Sequence, residues 1–231
     1  MRVIAHRGAS ARAPENTLPA LQEALRQGAA GVEVDVQRTS DGVLILVHDD
    51  DWLRTTGHAG RVRETSWDQV QRLDAGAWFG ADFAGVPVPR LETALEHLPP
   101  GCFVNLEIKS PHLDAGLGDA VAAAASPFRQ RLHFLLTSFD TGCIERLAAK
   151  TELACGILAD RVLEPTPGAA TQSLHYAAIL ACPEQVERVH AAGGLLLAWT
   201  VDDASAAAEL RDLGVDGIIT NDPGRITKEL A

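Results

Sequence analysis

Gly31-Val32-Glu33-Val34-Asp35-Val36, followed by Gln37-Arg38-Thr39-Ser40-Asp41-Gly42 and then Val43-Leu44-Ile45-Leu46-Val47, is the stretch that decides how this chain folds. Only residues 37–42 separate its two apolar-rich runs, and they contain Thr39-Ser40-Asp41-Gly42, which is turn chemistry. A parallel crossover needs about a dozen residues or more, so these two strands are expected to be antiparallel neighbours. Everywhere else the spacing is longer. Apolar runs recur at residues 2–5, 103–108, 132–137, 153–158, 177–181, 195–199 and 217–220, giving nine extended segments with the hairpin pair.

Most of the longer gaps read as helices. Residues 17–27 carry Leu18, Leu21, Ala24 and Leu25 on one face, and residues 141–150, 183–192 and 204–213 repeat the pattern. Gly28, Gly193 and Gly214 follow three of these faces as C-terminal caps should. Strand–helix alternation implies parallel strands with helices outside them. Setting aside one hairpin strand leaves eight, so the expected fold is a TIM-type (β/α)8 barrel with one antiparallel hairpin strand and a small inserted subdomain. An open doubly wound sheet is the alternative, but the glycine-rich phosphate loop G-x-G-x-x-G is missing after the first strand. The inserted piece is residues 49–89, within a single domain spanning 1–231. It holds Trp52, Trp67 and Trp78 and no clean strand alternation, and is expected to pack on its own aromatics over one end of the barrel.

Charge and composition exclude several partners. The chain has 231 residues, with 20 Lys+Arg against 31 Asp+Glu and a formal net charge of −11. A nucleic-acid binder or a protein anchored electrostatically on anionic lipid would carry basic surface instead. No apolar run approaches the ~18 residues of a spanning helix. The first strand begins at once, leaving no room for a signal peptide, and Cys102, Cys143, Cys155 and Cys182 form no CxxC pair. Free thiols and a cytoplasmic location are therefore expected.

The polar residues gather at strand ends. Glu33 and Asp35 lie two apart, on one face of their strand, with Val34 and Val36 on the other. If residues 39–42 make the reversal, Glu33 falls opposite His48 and Asp35 opposite Leu46; a slip of one residue would turn His48 to the other face. His6, followed by Arg7-Gly8, ends the first strand. Asn105, Glu107 and Lys109 share a face at the end of another, and Trp199 ends a late strand. On a barrel, such positions form the functional face. Three carboxylates without thiolates or clustered histidines suit one hard divalent cation, Mg²⁺ or Ca²⁺. Histidines beside a cation and basic residues suit acid–base cleavage of a phosphate ester.

His6-Arg7-Gly8 and Pro14-Glu15-Asn16-Thr17 resemble the opening signature of the glycerophosphodiester phosphodiesterases. So do Glu33-Val34-Asp35-Val36, Thr39-Ser40-Asp41-Gly42, Val47-His48-Asp49, Arg54-Thr55-Thr56-Gly57 and Leu73-Asp74-Ala75-Gly76 in order. Asn105-Leu106-Glu107-Ile108-Lys109, Thr137-Ser138-Phe139-Asp140, Trp199-Thr200-Val201 and Gly214-Val215-Asp216-Gly217-Ile218-Ile219-Thr220-Asn221 continue the series across nearly the whole chain. The resemblance implies a barrel, and metal-dependent hydrolysis of glycerophosphodiesters to sn-glycerol 3-phosphate and an alcohol, within glycerol and lipid metabolism. It implies that His6 and His48 are the acid–base pair and that Glu33, Asp35 and Glu107 hold the cation. Arg7 and Lys109 would meet the phosphate, and Trp199 would pack on the glycerol or alcohol portion. Two positions depart from the family pattern: Arg90 where Thr is frequent, and Asn221 where Asp is common. Three other readings stay open: a phospholipase D-like phosphodiester lyase on the same barrel, a glycosidase using paired acids, and a non-catalytic binder of phosphoglycerol ligands.

Overall fold

β1 (Arg2–His6), α1 (Leu18–Arg26) and β2 (Gly31–Arg38) form the first strand–helix unit of the computed structural model, which describes residues 1–164 and 169–230. Sequence chemistry sets the ends of α1. Thr17 caps it by accepting from the Ala20 amide, and Gly28, just beyond it, turns the chain at φ +80°. The buried face carries Ala20, Leu21 and Ala24, as the spacing requires.

After β2 the chain reverses into β3 (Leu44–Leu46), which is antiparallel to it. The single-turn helices α2 (Leu53–Thr56) and α3 (Trp67–Val70) follow before the barrel resumes with α4 (Leu91–His97) and β4 (Phe103–Ile108). Then come α5 (Leu117–Ala125), β5 (His133–Ser138), α6 (Thr141–Ala148), β6 (Ala154–Ala159) and β7 (Thr171–His175). α7 (Tyr176–Ala181), α8 (Glu184–Ala191), β8 (Leu195–Trp199), α9 (Ala204–Asp212), β9 (Gly217–Thr220) and α10 (Pro223–Glu229) complete the chain. β1 pairs with both β9 and β2, so the eight parallel strands close into a barrel with β3 as the extra strand outside the ring.

The strands bury both faces. Outward-facing Val32, Val34, Val104 and Leu106 pack under α1, α4, α5 and α6, while Leu174, Leu196, Ala198 and Ile218 pack under α7 to α10. Inside, Ile4, Leu135, Leu197 and Ile219 fill the barrel, with Phe103 and Trp199 against them. Polar rows stand above this plug. His6, Glu33 and Asn105 are register partners around one level, beside Leu135 of the plug, and Asp35, Glu107 and Thr137 around the next.

Two details differ from the sequence reading. The segment at 177–181, expected as a strand, is helix α7; the strand precedes it at Thr171–His175. A short apolar run does not distinguish a buried helix from a strand, and the true strand, Thr-Gln-Ser-Leu-His, carries too few apolar residues to advertise itself. It is held instead by hydrogen bonds, with Gln172 Nε2 donating to the Glu164 carbonyl at 3.0 Å and Trp199 Nε1 to the Ser173 carbonyl at 3.0 Å. The hairpin register is also shifted by one. Arg38 pairs with Leu44 and Val36 with Leu46, so Glu33 does not stand opposite His48. The loop takes in Val43 as well: the Thr39 amide bonds the Val43 carbonyl, and Gly42 adopts φ +94°.

Residues 49–89 pack against β3. Trp52 is fully buried and donates from Nε1 to Thr65 Oγ1 at 2.9 Å; Val62, Val70 and Val88 join it on the side chains of Ile45 and Val47. Trp67 is half-buried under Arg90, whose guanidinium lies 4.8 Å from the ring, and Trp78 is exposed. Among the described residues no helix is long and apolar enough to cross a membrane.

Candidate active site

The site is at the carboxyl ends of the barrel strands, where β1 stops short. The β1–β2 ladder ends with His6 opposite Glu33, and β3 takes over the same edge of β2 higher up, from Arg38 down to Val36. The chain leaves the ladder after Leu46, with one further bond from the Val47 amide to the Asp35 carbonyl at 3.0 Å. His48 is therefore free of strand alternation and faces the cleft despite the shifted register.

A sharp turn follows β1. Arg7 and Gly8 take φ +56° and +81°, a left-handed pair that aims the Arg7 amide back at Glu33 Oε2, 3.0 Å away. Only glycine fits after Arg7, because a Cβ on Gly8 would lie 2.6 Å from the Ala20 carbonyl carbon of α1. Asn16 closes the turn: its amide donates to the Arg7 carbonyl, and its side chain exchanges hydrogen bonds with the carboxylate and backbone amide of Asp35 at 2.8 and 3.1 Å.

Glu33, Asp35 and Glu107 converge. One carboxylate oxygen of each lies within 4.8 Å of the others; Glu33 and Asp35 are buried, and Glu107 keeps a small exposure to the cleft. Arg7 Nε stands 3.2 Å from Asp35 Oδ2, and Lys109 Nζ 2.8 Å from Glu107 Oε1 and 3.7 Å from Asp35 Oδ1. Two cations for three acids leave the group short of positive charge. Burial and the neighbouring Asp35 raise Glu33 well above the usual carboxylate range, and the same two causes push Glu107 up to about 7. Burial opposes ionisation of Asp35 as well, but Arg7 and Lys109 overcome it and hold that carboxyl below its ordinary value. Asp35 Oδ1 is buried with no hydrogen-bond donor. An all-oxygen set with an orphaned lone pair and two strained carboxyls has the chemistry of a hard-cation site, so the cluster can hold a metal ion.

Both histidines are tied down through Nδ1. His6 Nδ1 meets Asn221 Oδ1 at 2.7 Å, and His48 Nδ1 meets Asp49 Oδ1 at 2.7 Å. The first partner is fixed by its own neighbours. Asn221 Nδ2 donates to Asp202 Oδ2 at 2.5 Å, so its amide oxygen must face His6, where it also accepts from Ser10 Oγ at 2.7 Å. His6 Nδ1 therefore carries the hydrogen and Nε2 keeps its lone pair. Burial and the nearby Arg7 lower the His6 pKa and keep the ring neutral. Asp49 is held ionised, at about 2, by hydrogen bonds from Arg54 and from His48.

These groups line one wall of a cleft of about 500 Å³: His6, Arg7, Glu33, His48, Asn105, Glu107 and Lys109. Phe139, Leu158, Trp199 and Ile219 make the other wall. Trp199 is braced edge-to-face by Phe139 and His175, at 5.6 and 5.4 Å between ring centres. The cleft thus takes a charged group on one side and an apolar stem on the other. All the sequence-selected residues meet here, with Asp35 just beneath the surface. The two departures separate: Arg90 lies on Trp67, away from the cleft, whereas Asn221 is the partner of His6. Asn221, one residue beyond β9, could have been found by the strand-end rule that found His6. Phe139, one residue beyond β5, falls under the same rule, whereas Asp202, in the loop after β8, carries no comparable signal.

The sequence model of the glycerophosphoryl diester phosphodiesterase family matches residues 6–225. The chain belongs to that family. A glycerophosphodiester phosphodiesterase of Caldanaerobacter subterraneus subsp. tengcongensis is 36% identical over 233 residues, covering 96% of this chain and 94% of the relative. Among solved structures, this phosphodiesterase superposes on that of Oleispira antarctica, captured with the product sn-glycerol-3-phosphate, with a TM-score of 0.87. The two are 31% identical, over 100% of this chain and 96% of the other. The glycerophosphodiester phosphodiesterase of Agrobacterium tumefaciens gives a TM-score of 0.85 at 29% identity, over 99% of each chain.

Proposed function

We propose that this phosphodiesterase hydrolyses glycerophosphodiesters to sn-glycerol 3-phosphate and an alcohol, with a divalent cation on Glu33, Asp35 and Glu107, His6 as general base and His48 as general acid. The observation that carries the reading is the convergence of those three carboxylates between two histidines whose Nε2 atoms are free to serve the cleft. A cation held there would offset phosphate charge and polarise the phosphoryl group. Mg²⁺ and Ca²⁺ both suit the oxygen donors.

The residues divide the remaining work. His6 Nε2 accepts the proton of the attacking hydroxyl as the new O–P bond forms. Its Nδ1 faces a neutral amide, which orients the ring without adding charge. His48 Nε2 gives a proton to the departing alkoxide as the old P–O bond breaks. Its Nδ1 faces the Asp49 carboxylate, which suits a ring that carries positive charge before transfer. Each transfer is typically worth ~10²–10⁴-fold. Arg7 and Lys109 bring positive charge to the phosphate side, and Trp199 packs against the glycerol or alcohol stem. Residues 49–89, which supply Asp49 and Arg54 beside His48, are proposed as a small insertion that shapes the alcohol side. A cytoplasmic location is part of this reading, supported by four free cysteines, three of them buried.

³¹P NMR of glycerophosphocholine turnover tests it. Mg²⁺ or Ca²⁺ should yield sn-glycerol 3-phosphate, and EDTA should stop the reaction. A cyclic phosphate as the sole end product would favour the lyase reading, and full activity in EDTA would remove the cation.

A further inference from the structure

Asn105 is left without a role once the acids, cations and histidines have theirs. It lies in β4 on the level of His6, Glu33 and Leu135, is fully buried, and lines the cleft. Thr137 Oγ1 donates to its amide oxygen at 2.8 Å, which turns the NH₂ end away from β5. That Nδ2 is buried and has no hydrogen-bond partner. A buried amide donor is costly to leave unpaired, and native proteins keep few such groups without a reason. The carboxylates of Glu33 and Glu107, on the neighbouring strand and two residues along, do not take it. The cationic donors on the same wall are drawn to acids: Arg7 hydrogen-bonds Glu15 and lies 3.2 Å from Asp35 without a hydrogen bond from its buried Nε, and Lys109 pairs with Glu107. Asn105 therefore offers a neutral, pre-oriented donor on the level of His6, where the phosphorus must come to be attacked.

We propose that Asn105 is a substrate-binding residue whose Nδ2 donates a hydrogen bond to a non-bridging phosphoryl oxygen of the diester. The proposal rests on the phosphodiesterase reading of the cleft and gives a contact to a strand-end residue that the acid–base and cation assignments leave unused. Neutrality suits the position: the donor holds the phosphoryl oxygen without competing with a cation for the three acids.

Isothermal titration separates the possibilities. Mg²⁺ is titrated into metal-free protein, then sn-glycerol 3-phosphate and inorganic phosphate each into Mg²⁺-saturated protein. N105A should leave the Mg²⁺ Kd within about two-fold and weaken both phosphates about 10- to 100-fold, the range for a hydrogen bond to a charged group. N105D should move the two affinities in opposite directions, tightening Mg²⁺ through a fourth carboxylate and abolishing phosphate binding. A packing role predicts no such split. Unchanged phosphate affinity in N105A would overturn the proposal. So would parallel loss of Mg²⁺ binding, which would make Asn105 a support for the acids. Weakened sn-glycerol 3-phosphate with unchanged inorganic phosphate would also overturn it, by assigning the donor to the glycerol. If neither variant folds, T137V keeps the amide and removes only its anchor. It should weaken both phosphates with Mg²⁺ unaffected, and equal affinities would then refute the proposal. Wild-type protein that neither binds sn-glycerol 3-phosphate nor cleaves a glycerophosphodiester would instead sink the functional reading, whatever Asn105 does.

Discussion

Replacing Glu107 by Gln should stabilise the cation-free enzyme while destroying the proposed cation site. Burial and Asp35 push the Glu107 carboxyl up to about 7 from an ordinary value of 4.5. A group whose folded pKa is raised contributes its full stability below the unfolded pKa and loses it as pH climbs through the folded one. For Glu107 the window runs from about pH 4.5 to 7, and a difference of about 2.5 units at ~1.36 kcal/mol each makes the loss about 3 kcal/mol. Gln is neutral throughout and resembles the protonated acid. At pH 8 in EDTA, E107Q should therefore exceed wild type by about 3 kcal/mol, roughly 10 °C in Tm for a domain of this size. The advantage should vanish near pH 4.5. Mg²⁺ at about 1,000 times its Kd should reverse the order at pH 8, since it then adds about 4.1 kcal/mol to wild type alone. Differential scanning calorimetry at several pH values, with EDTA and with Mg²⁺, measures all of this. An E107Q protein no more stable than wild type at pH 8 in EDTA would refute the argument that unrelieved carboxylate repulsion marks the site.

Three further outcomes follow from the same geometry. H6A and H48A should each lower kcat by ~10²-fold or more with KM little changed; on a nitrophenyl diester, whose leaving group needs no proton, H48A should recover much of its rate and H6A should not, and equal losses on both substrates would defeat the division of labour. Trp199→Ala should act chiefly on KM, because the ring offers apolar contact and no proton; a fall confined to kcat in steady-state assays would contradict that placement. Trp52→Ala should cost about 3–5 kcal/mol in urea unfolding, as for other large buried aromatics, whereas a change under 1 kcal/mol would show that residues 49–89 do not rely on that ring.

The sequence carried the barrel because its signals are local and redundant. The 37–42 gap was too short for anything but a hairpin, and glycines stood where α1, α8 and α9 end. It failed at β7, where hydrogen bonds from Gln172 and Trp199 do the work that apolar residues do elsewhere, so hydropathy pointed to the next segment. It put His48 at the cleft, where the fold has it, for a reason that did not hold. One extra loop residue shifted the register, and His48 reached the cleft only because the chain leaves the ladder after Leu46. Cleft-lining residues at strand ends were legible. Their partners were less so: Asp49 is adjacent in sequence, but the link from His6 through Asn221 to Asp202 spans the closing seam of the barrel and exists only once β1 and β9 are side by side.

The upper edge of β2 has one more consequence. The chain departs at Val47 and comes back at Pro89, whose carbonyl accepts from the Leu46 amide at 3.1 Å, while Arg90 bridges to Ile45. Exit and return are thus neighbours, as at the base of a hairpin, and the barrel's closure never passes through the residues between them. Each doubling of the length of a flexible connection costs only about 0.6 kcal/mol. Any replacement that shields Ile45 and Val47 and presents a carboxylate to His48 could occupy the place of residues 49–89, so on the proposed function what surrounds the departing alcohol is exchangeable as a unit while the machinery on β1, β2 and β4 stays as it is.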